Sequence, residues 1–208
     1  MTFLKGVDGK PLVVYRGERS SADDNHIRTS IRSIYFEGDK ETASMVASPF
    51  GVRDLDCDAP RVFPVQLRMK HLFINQPDNP MLELSTLVNR LGSSEARRIA
   101  LRFSFEIEKT DGWNYGINAE KRFKSVTEYL KDPEARVEPL YFDAFKFFAS
   151  NAEVGRIARL GYDGAIHGGK GFGIDDKPQY VAFSKSQIHY ILSSGVGDDD
   201  EEYTLRRA

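Results

Sequence analysis

Three short apolar runs decide what this chain can become. "LVVY" (residues 12–15), "IYF" (34–36) and "YVAF" (180–183) are rich in β-branched and aromatic residues. A strand needs a neighbour to take its backbone hydrogen bonds, and these runs sit near opposite ends of the chain. The stretch between them carries helical stripes. Leu84, Leu87, Val88 and Leu91 fall on one face up to a stop at Gly92, and Ala96, Ile99, Ala100 and Phe103 repeat the spacing. The pattern is strands at both ends around a helical middle. This predicts one α+β domain over residues 1–196, followed by a solvated, flexible acidic tail, 197–208.

Local signals refine that outline. The run at 12–15 ends at Arg16-Gly17. Asp39 stands where an N-cap belongs, before a helix with Ala43, Val46 and Ala47 inward. In "VFPVQLRMKHLF" (62–73), Phe63, Val65, Leu67 and Met69 share one face, and Pro64 predicts an edge strand. "LRFSFEIE" (101–108) is open between helix and strand. "AEKRFKSVTEYL" (119–130) and "LYFDAFKFFAS" (140–150) read as helices. A short helix closes at Gly161, a strand follows around Ala165-Ile166, and a glycine-rich loop (167–178) returns to Gln179.

Composition closes several routes. The net charge of -2 gives no global field to draw in nucleic acid or an anionic surface. One cysteine, Cys57, cannot form an intrachain disulfide, and His26, His71, His167 and His189 match no metal spacing. "HGGKGFG" lacks phosphate-loop spacing, and no nucleophile elbow occurs. "MTFLKGVDGK" has no long apolar stretch, and nothing else is long enough to cross a bilayer, so a cytoplasmic protein without membrane contact is expected.

Three polar residues mark the short strands: Arg16 after "LVVY", Tyr35 inside "SIYFEGDKETA", and Gln179 before "YVAF". Taken singly they are a surface arginine, a core aromatic and a turn residue. In context they resemble something more. "VVYRG" is similar to the first nucleotide-binding strand of ADP-ribosyltransferases. "SIYFEGDKETASMVA" resembles the second motif of the poly(ADP-ribose) polymerase and diphtheria-toxin-like branch, and "PQYVAFSKSQI" the third, with its Gln-Ile pair downstream. "LGYDGAIHGG" and "FPVQLRMKHLFINQPDNP" look like segments of phage-encoded polyvalent members. Matched residue by residue, Arg16 and Tyr35 combine two branches of the family, and Gln179 stands where the acid does.

The resemblance implies a split β-sandwich of two small antiparallel sheets around an NAD cleft, with the middle helices outside. It implies a mono-ADP-ribosyltransferase using NAD as substrate. The acceptor would be a host macromolecule, protein ahead of nucleic acid, and the enzyme a phage or bacterial effector working in the cytoplasm of its own or a target cell. The alternative it leaves is a weak or inactive NAD-binding or interaction module of the same fold. Arg16, Tyr35 and Gln179 take the catalytic roles, and Arg16, Gly17, Tyr35 and Phe36 bind the nucleotide. Tyr35 would stack on nicotinamide, Arg16 would fork to ribose or pyrophosphate, and Gly17 would let backbone approach the carboxamide. Gln179 can orient a ribose hydroxyl but brings no charge. A unit charge at about 4–5 Å and an effective dielectric constant of about 20 is worth roughly 3–4 kcal/mol, or two to three powers of ten in rate. A carboxylate restored at 179 is thus expected to speed cleavage, with Asp175 and Asp176 as nearby sources of charge. Phe172, on the same loop, is a candidate contact for the acceptor.

Overall fold

The computed structural model describes residues 2–20, 33–48, 59–169 and 177–191. Seven strands form one mixed sheet: β1 (Val13–Ser20), β2 (Ile34–Glu37), β3 (Ala59–Leu67), β4 (Leu72–Gln76), β7 (Gly164–Gly168), β8 (Pro178–Ala182) and β9 (Ile188–Tyr190), in the order β4-β7-β8-β2-β1-β3-β9. A two-stranded ribbon, β5 (Met81–Glu83) and β6 (Tyr141–Asp143), stands apart. The ends of the chain meet. β8 pairs with β2 over four register positions, from Ile34↔Ala182 to Glu37↔Gln179.

The two small antiparallel sheets expected from the sequence are hydrogen-bonded into this single sheet, which also holds one parallel pair, β4 with β7. A seam remains visible. β1 and β2 share one register pair, Tyr15↔Glu37, whereas β1 and β3 pair along eight positions. Across the seam lie two groups of strands, β4-β7-β8-β2 and β1-β3-β9.

Each face of the sheet has its own core, as strand alternation requires. On one face Tyr35, Ala165 and Val181 join α2 (Leu84–Leu91), α3 (Ser93–Arg102), α6 (Ala144–Phe148) and α7 (Asn151–Arg159) through Leu84, Leu87, Ile99, Phe147, Phe148 and Ile157. On the other, Val14, Ile34, Phe36, Val65, Leu67, Ile166, Tyr180 and Ala182 bury one another with no helical residue among them.

Several local expectations hold, and several are corrected. Asp39 caps α1 (Lys40–Ala47), accepting from Thr42 N at 2.9 Å and Thr42 Oγ1 at 2.8 Å. Ala43 and Ala47 are buried, but Val46 is exposed and Thr42 takes the third inward place. β1 runs on through Arg16 and Gly17 to Ser20. β3 lies between β1 and β9 and is no edge strand. Pro64 is tolerated there because its carbonyl accepts from Ile191 N, just beyond the end of β9. Its missing donor points the same way, beyond the last residue of β9. The undecided stretch 101–108 is helical at α4 (Ser104–Ile107). The helix read over 119–130 shrinks to α5 (Val126–Tyr129), capped by Ser125. The stretch 140–150 begins as β6 before α6, because β5 offers it a strand partner. Gly161 takes a left-handed φ of +93° after α7, as a helix stop should. Cys57, His26, Phe172, Asp175, Asp176 and the tail 197–208 lie outside the described residues.

Candidate functional site

The sheet register builds a polar row across its rim. Gln76 on β4 faces His167 on β7, His167 faces Gln179 on β8, and Gln179 faces Glu37 on β2. Residues directly opposite one another project from the same face. Adjacent strands lie about 4.8 Å apart, so the four positions span about 14 Å. One step deeper along the same strands, Tyr35, Val181 and Ala165 are apolar and belong to the helix-covered core. The row is where that core gives way to polar chemistry.

Gln179 is half-buried at the mouth of β8, and its Nε2 donates to Glu37 Oε1 at 3.0 Å. Glu37 is 4% exposed, and burial raises its carboxyl above the ordinary range. The bond from Gln179 and the charge of Arg16 pull the other way, while Asp39 adds to the rise. Its second oxygen, Oε2, is buried without a hydrogen-bond partner among the described residues. The apolar run read from the sequence, 34–36, stops one residue short of Glu37. Glu37 is the last residue of β2, and the signal that could have found it is spacing: Tyr35 and Glu37 are one strand repeat apart.

His167 is also buried. Its Nδ1 lies 2.7 Å from the Gly168 carbonyl, which can only accept, so Nδ1 carries the proton and Nε2 is an acceptor. Nε2 has no partner among the described residues. Burial lowers the pKa of His167, against the Gly168 bond and the charge of Asp143. The ring stacks on Phe148 at 5.6 Å and meets Tyr35 edge-on at 6.4 Å.

Tyr35 lies beside this pair with its ring covered. Phe145 packs on it at 5.1 Å, and its hydroxyl donates to the Phe145 carbonyl at 3.3 Å. Burial, and then the charge of Asp143, push its phenol well above its ordinary pKa, with Arg16 opposing. Arg16 occupies the β1–β2 seam. Its Nη1 donates to the Tyr35 carbonyl at 3.1 Å and its Nε to Glu18 Oε2 at 3.4 Å. Alternation places Arg16 with Val14 and Glu18 on the face opposite the Tyr35 ring, so arginine and tyrosine meet through backbone.

The remaining sequence candidates have structural explanations. A Cβ on Gly17 would lie 1.7 Å from the Ala43 carbonyl oxygen, so the glycine serves the approach of α1. Phe36 is fully buried in the helix-free core and offers a ligand no surface. Gln187, of the Gln-Ile pair, accepts from Phe183 N and Ser184 N and donates to the Arg68 and Asp163 carbonyls. Asp163, from "GYDGAI", accepts from Lys70 N and His71 N. These residues lock the β3–β4 turn to β7 and to the β8–β9 turn.

A cleft of about 470 Å³ between β4 and α2 touches the row at Gln76 and is otherwise lined by Asn75, Thr86, Asn89 and Arg90, with Phe73 and Ile74 at its base. It does not include Arg16, Tyr35 or Gln179. Among the described residues no three His, Cys, Asp or Glu side chains group as a metal site, and no helix is long and apolar enough to cross a membrane. Compared with family models, curated proteins and solved structures, the chain matches none.

Proposed function

We propose that this protein is an NAD-dependent mono-ADP-ribosyltransferase. The observation that carries the reading is the junction of three neighbouring strands. Gln179 binds a buried carboxylate there, one strand repeat from the Tyr35 ring, while Arg16 binds the Tyr35 carbonyl in the adjoining seam. Residues that suggested the family by short motifs are thus neighbours in space. The seam between two strand groups is in keeping with a split β-sandwich.

Breaking the nicotinamide–ribose bond develops positive charge on the sugar, as in glycoside hydrolysis. A site for this reaction must fix the ring, hold the ribose hydroxyls and place negative charge near the sugar. Tyr35 and Phe145 form the aromatic wall and Gln179 and Glu37 the polar one, while the charge of Arg16 reaches Glu37 from the opposite face of the sheet. The acceptor on this reading is a host protein, and the role that of a phage or bacterial effector.

One observation favours a second reading, an NAD- or ADP-ribose-binding module without turnover. The Tyr35 ring is covered by Phe145 and 8% exposed, so stacking on it requires Phe145 to move. Incubating the protein with NAD labelled in the ADP-ribose half and a bacterial lysate separates the two. Transfer of label to macromolecules supports the enzyme. Saturable NAD binding with neither transfer nor nicotinamide release supports the module, and no binding at all refutes both.

A further inference from the structure

We infer that Glu37, and not Gln179, is the carboxylate that carries the reaction, with Gln179 as its positioning partner; this rests on the ADP-ribosyltransferase reading. Glu37 ends β2 with Oε1 fixed by the Gln179 amide at 3.0 Å and Oε2 buried and unpartnered among the described residues. A buried carboxylate held by one neutral donor is costly to a fold. It lies on the face of Tyr35 and in register with Gln179, whose other neighbour is His167, at the point where sequence resemblance places the family's acid one strand away.

The step balances as follows. The C1′–N bond of the nicotinamide riboside breaks and its electron pair leaves with neutral nicotinamide. Glu37 stabilises the ribosyl cation through its charge and through a hydrogen bond accepted at Oε2 from a ribose hydroxyl. An acceptor O–H or N–H, or water, then adds to C1′, and its proton passes to the Glu37 carboxylate. Gln179 neither gives nor takes a proton. It holds Oε1 so that Oε2 points at the substrate.

Four proteins test this: wild type, Glu37→Gln, Gln179→Ala, and the swap Glu37→Gln/Gln179→Glu, which keeps one acid and one amide. NAD binding is measured by calorimetry and cleavage by release of labelled nicotinamide, with melting curves to verify folding. Glu37→Gln should bind NAD within about threefold of wild type and cleave it about a hundredfold or more slowly. Gln179→Ala should lose about tenfold in kcat with KM nearly unchanged, since it acts only through Glu37. The swap should recover at least about tenfold over Glu37→Gln, and it tests the idea even if Glu37→Gln folds poorly. Wild-type cleavage by Glu37→Gln, or total loss in Gln179→Ala with Glu37→Gln active, overturns the assignment while leaving the enzyme reading intact. Wild type that neither binds nor cleaves NAD removes both.

Discussion

Replacing Gln179 by Glu restores the residue that the family motif leads one to expect, and the structure reverses what that change should do. From sequence, the added charge speeds NAD cleavage. In the structure the amide nitrogen at that position is already 3.0 Å from Glu37 Oε1. Gln179→Glu therefore turns a hydrogen bond into two facing carboxyl groups. At 3–5 Å and an effective dielectric constant of about 20, two unit charges repel by roughly 3–6 kcal/mol. Two carboxyls so placed do not both ionise at neutral pH, and the pair keeps one proton. Net charge in the site then equals that of wild type, and the rate does not rise.

The same pair makes stability fall with pH. Holding one proton at pH 7 on a carboxyl whose ordinary value is about 4.3 costs roughly 3.5 kcal/mol. Position 179 is half-buried, so solvent trims this to roughly 2–3 kcal/mol. Between the ordinary glutamate range and neutrality the folded variant binds more protons than the unfolded chain, and stability drops as pH rises. At pH 4.5 the variant and wild type should melt nearly together. At pH 7 the variant should melt about 4–12 °C lower. The swap Glu37→Gln/Gln179→Glu has a single carboxyl and should abolish the extra slope. Melting curves from pH 4.5 to 8, with nicotinamide release assayed at pH 7, carry the test. A variant as stable as wild type at every pH, with NAD cleavage up tenfold or more, would show that the two side chains do not face each other.

Tyr35→Ala should weaken NAD binding by roughly 1–3 kcal/mol through lost stacking and burial, while Tyr35→Phe, losing only a long bond to the Phe145 carbonyl, should cost about 1 kcal/mol or less by calorimetry. Equal losses would move the role to the hydroxyl. His167, buried with a lowered pKa, is neutral in the fold, so its contribution is full above the ordinary value of 6.5 and is lost as pH falls through and below it. A flatter acid limb of the melting curve in His167→Gln is the expected outcome, and an unchanged limb would mean that the imidazole protonates freely in place. Gly17→Ala should destabilise by roughly 1–3 kcal/mol or more, because its new methyl meets the Ala43 carbonyl and α1 must shift. Chemical denaturation reads that loss, and a neutral result would mean that α1 does not pack on β1 as described.

What the sequence showed and what it hid follow one division. Elements with strong local chemistry were legible: the Asp39 cap, the α2 stripe ending at Gly92, and the chain stop at Gly161. So were strands toward both ends around a helical middle, whereas their pairing with one another was not. Pairing decided the rest. β6 is a strand because β5 lies beside it, and β3 is internal because β9 returns to it from far along the chain. Glu37 was missed for the same reason. Nothing local tells a carboxylate ending a strand from one starting a loop; the register with Gln179 does. Arg16, Tyr35 and Gln179 were singled out by motif, but which atoms face one another is set by alternation across a seam that no motif encodes.

The polar row itself argues for a ligand. Valine or leucine at Glu37, Gln179 and His167 would extend the apolar row of Tyr35, Val181 and Ala165, and buried charges commonly cost more than such replacements. The chain instead breaks the pattern at one step on three adjacent strands at once, the kind of local violation expected at functional sites. The unpartnered atoms on the row share a sense. Glu37 Oε2, His167 Nε2 and the Gln76 amide oxygen are all buried side-chain acceptors, and all lie on this row. A face of acceptors repels phosphate and suits a ligand that brings donors, such as sugar hydroxyls and a carboxamide N–H₂. Arg16, whose charge reaches Glu37, stands in the β1–β2 seam on the opposite face of the sheet. The nicotinamide riboside of the NAD that we propose as substrate carries hydroxyl and carboxamide donors of that kind.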